Sequence, residues 1–136
     1  MDNSKEERIK FGNDELIENG NLGVIDEIFA TDYIAHAGDK NYKGHEFIKR
    51  WTRQLRLAIP DIRVVEVKFL IRTDETVAWQ RSLRGTHKAV MLGIQPTEQK
   101  VEWTEMVVSR FDSGKIAEEW VVSELAGELL SKPSRV

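Results

Sequence analysis

After Pro60 the apolar residues change their spacing, and no other feature of the chain limits its fold so strongly. Before that point Phe47, Ile48, Trp51, Leu55 and Ile59 recur three and four positions apart, as on one face of a helix. Pro60 ends the helix, because the residue before a proline is pushed out of the helical region. Beyond it the period becomes two. Val65, Val67, Phe69 and Ile71 are expected on one face of a strand over residues 62–71. The turn TDET leads to a second strand, 77–88, and a third covers 100–112. DSGK is a hairpin signal. A last strand, 116–123, precedes a short helix, 125–130, that stops before Pro133.

The first half reads as helical. Ser4 and Glu7 form a capping-box pattern at the head of a helix over residues 5–19, which Gly12 weakens and Gly20 ends. Asn21 is placed to cap a second, shorter helix through Ile28. Residues 33–36 look extended. The loop GDKNYKG then leads into the amphipathic helix 44–58.

Helices first and long strands after predict an α+β fold, with the helices on one side of a mostly antiparallel sheet. The 136 residues fit one domain, residues 1–136 with a core of about 5–130. Such a sheet curling around three helices leaves a cone open at one end, a geometry that makes a pocket.

Residues 84–103, RGTHKAVMLGIQPTEQKVEW, interrupt the sheet in an unusual way. A plain hairpin needs only a short polar turn. This excursion instead carries Met91, Leu92 and Ile94 beside Gly93 and Pro96, with His87 before it and Trp103 after it.

Composition narrows the function. Lysine and arginine total 20 against 23 acidic residues, a net charge of −3. Nucleic-acid binders usually carry a basic patch. The densest basic run, Lys49, Arg50, Arg53 and Arg56, falls on the polar face of the 44–58 helix, so no nucleic-acid partner is expected. The absence of cysteine removes disulfides, thiolate zinc sites and cysteine nucleophiles. No apolar run approaches the ~20 residues of a membrane span, and the N-terminus lacks the apolar core of a signal peptide. A cytoplasmic protein without a membrane partner is the expectation. There is no Walker loop, GxGxxG or GxSxG.

Three stretches are familiar. GTHKAVMLGIQPTEQKVEW resembles the GTH…GIPPTGK…W signature of SnoaL-like polyketide cyclases, also called ester cyclases. GNLGVIDEIFATDYIAH resembles that family's GDLDALDELFAPDYVDH, and FDSGKIAEEWVVSELAGELL resembles its FEDGKIVEHWDVxDxLGLL. The likeness spans residues 5–130. It implies a cone-shaped nuclear transport factor 2-like fold, usually a homodimer, with the helices packed in the concave face of the sheet. It also implies a small apolar or aromatic organic ligand and no metal or other cofactor. In the family a carboxylate moves a proton during an intramolecular aldol cyclisation, and the conjugated substrate stabilises its own enolate. The resemblance places the excursion at the mouth of the cone, where Met91, Leu92 and Ile94 either cover a ligand or cap the core.

One residue departs from the pattern. The family's acid/base aspartate follows the tryptophan of EHWD, and that position is Val121 here. A valine moves no proton. Alternate strand residues share a face, so if Val121 faces the pocket then Glu119 and Ser123 do too. Apolarity argues the reverse, since Ile116, Trp120 and Val122 make the more hydrophobic face. On the preceding strand Trp103, Glu105 and Val107 share a face. Glu119 is the first candidate for a displaced acid/base and Glu105 the second, because a carboxyl buried in an apolar cone has a raised pKa suited to proton transfer. His36 and His87 match family positions and are candidate donors to a carbonyl oxygen. His45 reads as a surface residue. Three histidines without helical pair spacing are poor evidence for a metal site. Trp103 is a candidate stacking wall for a planar ligand. Trp51 reads as core first and pocket wall second, and the face of Trp79 stays open. Asn13, where the family often has an aromatic pair, would make the pocket more polar. Two readings follow: a cofactor-free cyclase or isomerase acting on a small organic carbonyl compound, or a small-molecule binder that has lost the catalytic group. A purely structural dimerisation module is a third, and would need a pocket filled by its own side chains.

Overall fold

A computed structural model describes residues 4–132. Helix α1 (Ser4–Gly12) runs straight into a π-helical turn (Asn13–Glu18). A 3₁₀ turn (Leu22–Val24) and α2 (Ile25–Ile28) follow, with the Asn21 side chain accepting from the Gly23 amide as a cap. Then come β1 (Phe29–Ala37), β2 (Lys40–Lys43), α3 (Gly44–Ala58), β3 (Arg63–Arg72), β4 (Thr76–Thr86), β5 (Lys100–Asp112), β6 (Lys115–Ser123) and α4 (Leu125–Leu130). The position of Pro133 relative to α4 lies outside the described residues.

The six strands form one curved sheet in the order β2-β1-β6-β5-β4-β3. All neighbours are antiparallel except β1 and β6, which run parallel. This is the α+β cone expected from the sequence, with two strands more than the alternating segments alone announced. One is β2, inside what read as the loop GDKNYKG. The strand is only four residues long, and three of them are polar or charged, so no alternation marks it.

Strand β3 departs from simple alternation. Its register against β4 shifts between Val64 and Glu66 and again between Phe69 and Ile71. Each bulge inserts a residue and flips the side chains that follow. Val67 and Phe69 therefore pack on the core, whereas Val65 and Ile71 are 53% and 68% exposed. The four residues expected on one face are split between two.

The interior holds two apolar clusters. The larger gathers Ile9, Leu16, Ile28, Phe29, Val77, Trp79 and Phe111 beneath α1 and α2. The second joins Leu55, Ala58 and Ile59 at the end of α3 to Leu83, Met91, Trp103, Leu125 and Leu129. Gly85 is required at this second contact. A Cβ there would lie 2.1 Å from the Ile59 side chain, so β4 passes directly beneath the end of α3. Arg56, expected on a solvated face, instead donates to the carbonyls of Ile17 and Glu18. It satisfies acceptors that the end of the first helix leaves open.

The excursion between β4 and β5 is a small hairpin of its own. Met91 and Ile94 exchange backbone hydrogen bonds of 3.0 and 2.8 Å around Leu92 and Gly93, both at positive φ. That is the backbone of a two-residue turn with both central residues left-handed, which explains Gly93. Lys88 anchors the excursion to the end of α3 by donating to the Ala58 carbonyl.

A cavity with two glutamates of opposite tendency

The concave face of the sheet and the helices enclose a cavity of about 650 Å³. Both apolar clusters contribute to its wall, and six aromatic side chains line it: Phe29, Tyr33, Tyr42, Phe47, Trp51 and Trp79. Its carboxyls come from the inward-facing positions of the sheet, and Asn13, Thr52 and Gln54 add polar groups from the helical side. On β5 the residues Val101, Trp103, Glu105, Val107, Ser109 and Phe111 all point inward and are buried. On β6 Glu119 is buried, and the outer residues Trp120 and Val122 are 42% and 70% exposed. The three apolar residues expected on one face are thus split: Ile116 is buried and lines the cavity, and Trp120 and Val122 lie outside. Glu119, Val121 and Ser123 all line the cavity.

Glu119 stands opposite Ser109 across the β5–β6 ladder and beside Ala35 of β1. Its Oε1 accepts from the Tyr33 hydroxyl at 2.7 Å, and its Oε2 accepts from the Ser109 hydroxyl. Ser109 in turn accepts from Trp79 Nε1 at 2.9 Å. Burial pushes the Glu119 carboxyl above the ordinary glutamate range, and the bonds from Ser109 and Tyr33 only partly offset it. The Tyr33 phenol is pushed well up as well, first by burial and then by the charge of Glu119.

Glu105 has the opposite balance. Burial again raises it, but the charge of Arg81 and hydrogen bonds from Ser123, Arg81 and Trp103 outweigh burial and hold the carboxyl below its usual range. The Arg81 guanidinium lies 2.6 Å from Glu105 and donates through Nη1 to Asn13 Oδ1 at 2.8 Å. It also sits over the Trp79 ring at 5.4 Å. Asn13, at the head of the π-helical turn, returns a bond from its amide to the Ile9 carbonyl. The widened turn thereby presents a buried amide to the cavity, a placement common at functional sites. One continuous polar strip results, from Tyr33 through Glu119, Ser109 and Trp79 to Arg81, Glu105 and Asn13. Val107 and Val121 form a paired apolar rung beside it. Val121, where the family pattern has its acid, lies between the two glutamates on the inner face.

The structure divides the residues singled out from the sequence. Glu119, Glu105, Val121, Val107, Trp51, Asn13 and Leu92 line the cavity. His36, His87, Trp103, Met91 and Ile94 do not, which corrects their expected position. His36 lies on the outer face, where odd and even positions of β1 separate. Its Nε2 meets Glu118 at 2.6 Å, its Nδ1 meets Asn41, and its ring stacks on Trp120. The hydrogen bond with Glu118 raises its pKa. His87 is fully buried under the excursion, and its Nδ1 accepts from the Thr97 amide at 3.1 Å. Trp103 belongs to the second core cluster and donates to Glu105 Oε2 at 3.1 Å. It holds a carboxylate in place of stacking on a ligand. Met91 is fully buried in the same cluster, and only Leu92, at the tip of the turn, reaches the cavity. His45 is partly buried, between Asp26 and the carbonyls of Phe29 and Ala30.

Sequence reasoning missed Tyr33, Arg81 and Ser109 as site residues. Strand parity held part of the signal. Arg81 pairs with Glu105 and Trp79 pairs with Val107, so fixing the face of β5 fixes that of β4. Nothing local marks Tyr33, whose partner is 86 residues away.

The chain thus folds as a curved α+β cone around a largely apolar cavity, with two buried carboxyls on its inner sheet face. The chain belongs to the SnoaL-like polyketide cyclase family, which it matches over residues 8–130. The comparison with curated proteins found no match. Among solved structures it is similar to a candidate SnoaL-like polyketide cyclase from Jannaschia sp. CCS1, with a TM-score of 0.84 and 19% identity over 98% of this chain and 93% of that one. A candidate polyketide cyclase from Acidithiobacillus ferrooxidans superposes with a TM-score of 0.81 and 20% identity, covering 97% and 96% of the two chains. AclR, a candidate hydroxylase from Streptomyces galilaeus, gives 0.70 and 23%, covering 95% and 99%. At these identities the likeness is one of fold, and a fold does not choose a reaction.

Proposed function

We propose that the cavity binds a small, largely apolar or aromatic carbonyl compound and that Glu119 is its proton-transfer group, without a metal or other cofactor. The observation that carries this reading is the Glu119 carboxyl buried in the cavity wall, on the inner face that holds the family's acid position and two residues from it, where burial favours its proton. In the reaction the Glu119 carboxylate takes a proton from the carbon next to the carbonyl. The C–H electron pair becomes the C=C bond of an enolate, and the carbonyl π pair moves onto oxygen. Return of the proton to another carbon isomerises the compound; attack of the enolate on a second carbonyl closes a ring. Glu105 stays ionised beside Arg81 and orders the wall.

The test needs no knowledge of the natural substrate. Wild-type protein in D₂O should speed the loss of the α-proton NMR signals of a bicyclic aromatic ketone such as 2-tetralone, and Glu119→Gln should reduce that rate to the buffer rate. Equal rates for both proteins would remove the role of Glu119.

A second reading has its own observation. Val121 replaces the acid, and both Glu119 oxygens already hold hydrogen bonds, the arrangement of a binder that does not turn its ligand over. Binding without α-proton exchange would select it.

We also propose a cytoplasmic homodimer joined through the outer sheet face. Met106 pairs with Val122 and Val108 with Trp120, giving an exposed apolar block across β5 and β6. Among the described residues no helix is long and apolar enough to cross a membrane.

A further inference from the structure

We propose that the Tyr33 hydroxyl is the hydrogen-bond donor to the ligand's oxygen, and that it is released for this role when Glu119 carries a proton. The inference rests on the reading of the cavity as a site for a carbonyl compound, and it names the atom that holds the carbonyl.

The argument is a count of protons. Trp79 Nε1 can only donate, and it donates to Ser109 Oγ. Ser109 is fully buried. Were Ser109 also to accept from Glu119, its own proton would be left without an acceptor among the described residues, and a buried unmet donor is costly. The Ser109 proton therefore goes to Glu119 Oε2, and Oε2 stays an acceptor in either charge state. When Glu119 is ionised, Tyr33 donates to Oε1. When Glu119 is neutral, its proton belongs on Oε1, the oxygen that faces Tyr33 at 2.7 Å. The direction of that bond then reverses: Glu119 donates and the phenol oxygen accepts. The Tyr33 proton is left without a protein acceptor among the described residues, and Tyr33 lines the cavity. An oxygen of the bound molecule is the group that meets it.

Two consequences follow. The ligand class is one that places a carbonyl or enolate oxygen against Tyr33 and its carbon frame against the apolar wall. The two halves of proton abstraction are also coupled. As the carbon's proton reaches the Glu119 carboxylate, the Tyr33 proton is freed for the oxygen on which charge develops. Burial and the Glu119 charge keep the phenol itself protonated, so it can serve as a donor throughout. A chain of such bonds polarises each member, which strengthens the last one.

Calorimetric titration with 2-acetylnaphthalene, whose oxygen only accepts, and with 2-isopropylnaphthalene, which has no oxygen, tests this. Tyr33→Phe should weaken the ketone about three- to tenfold and leave the hydrocarbon within about twofold. In wild type the ketone should bind more weakly as pH rises through the Glu119 titration, because the carboxylate recaptures the Tyr33 proton. Glu119→Gln, whose amide can donate to Tyr33, should hold the ketone tightly at every pH. This variant keeps the test decisive if Tyr33→Phe folds poorly. Equal loss of both ligands in Tyr33→Phe, or a ketone affinity in wild type that is flat with pH, would overturn the role of Tyr33 and leave the pocket reading standing. Failure of wild type to bind either compound would overturn both.

Discussion

Ser109 and Glu119 face each other across adjacent strands, and the Ser109 hydroxyl donates to the Glu119 carboxyl. The pair lies inside the cavity wall, where no cation among the described residues is in direct contact with the acid. Glu105, on the same inner face, has Arg81 against it. One wall thus holds two carboxyls of opposite tendency: burial raises Glu119, while the charge of Arg81 and the hydrogen bonds around Glu105 outweigh burial and lower it.

The raised pKa of Glu119 makes stability depend on pH with a definite sign. The folded protein holds this proton more tightly than the unfolded chain, so stability falls as pH rises from about 4.3, the unfolded glutamate value, through the raised folded value. Glu119→Gln removes the ionisation. Its melting temperature should exceed that of wild type near neutrality, and the gap should close as pH falls toward about 4. Thermal scans across that range read it directly.

Glu105 contributes with the opposite sign. Its folded pKa is depressed, so its stabilisation is present above the unfolded value and lost as pH falls through the folded one. Arg81→Met strands a buried carboxylate and should cost about 3–5 kcal/mol at neutral pH. Arg81→Met with Glu105→Leu should recover most of that loss. Urea unfolding of the single and double variants measures the difference.

The outer face makes a separate prediction. Val122→Lys and Trp120→Glu place charge in the exposed apolar block and should convert the proposed dimer to a monomer with an unchanged fold. Light scattering after size-exclusion chromatography reports mass, and circular dichroism reports fold. A wild-type protein that is monomeric at micromolar concentration would contradict the proposed dimer.

Restoring an acid at Val121 tests the crowding of charge in the cavity. Val121→Asp introduces a third carboxyl between Glu119 and Glu105. It should raise the Glu119 pKa further through like-charge repulsion and destabilise the protein more at pH 7 than at pH 5. Melting curves at the two values check it.

Much of the fold was legible because the chain is locally consistent. The bounds of α3 follow from its apolar stripe and Pro60, and β5 alternates without a break through thirteen residues. What alternation cannot show is a bulge. The two register shifts in β3 move Val65 and Ile71 out of the face that counting by twos assigns them. Hydrophobicity also misleads on β6, since Trp120 and Val122 look like core residues and form the outer surface. Glu119 and Glu105 were legible through parity, once a register was chosen. The partners that set their chemistry were not. Tyr33, Arg81 and Ser109 come from three separate strands, and only the folded sheet brings them against the two carboxyls. His36 and His87 were singled out because they match family positions, but one lies on the outer face and the other is enclosed under the excursion.

Carbon-detected NMR of the Glu119 carboxyl, assigned by its loss in Glu119→Gln, tests the central claim most directly. The account predicts a titration above the ordinary glutamate range and a shift of the same resonance when 2-acetylnaphthalene is added. A carboxyl that titrates in the ordinary range and does not respond to the ketone would contradict it.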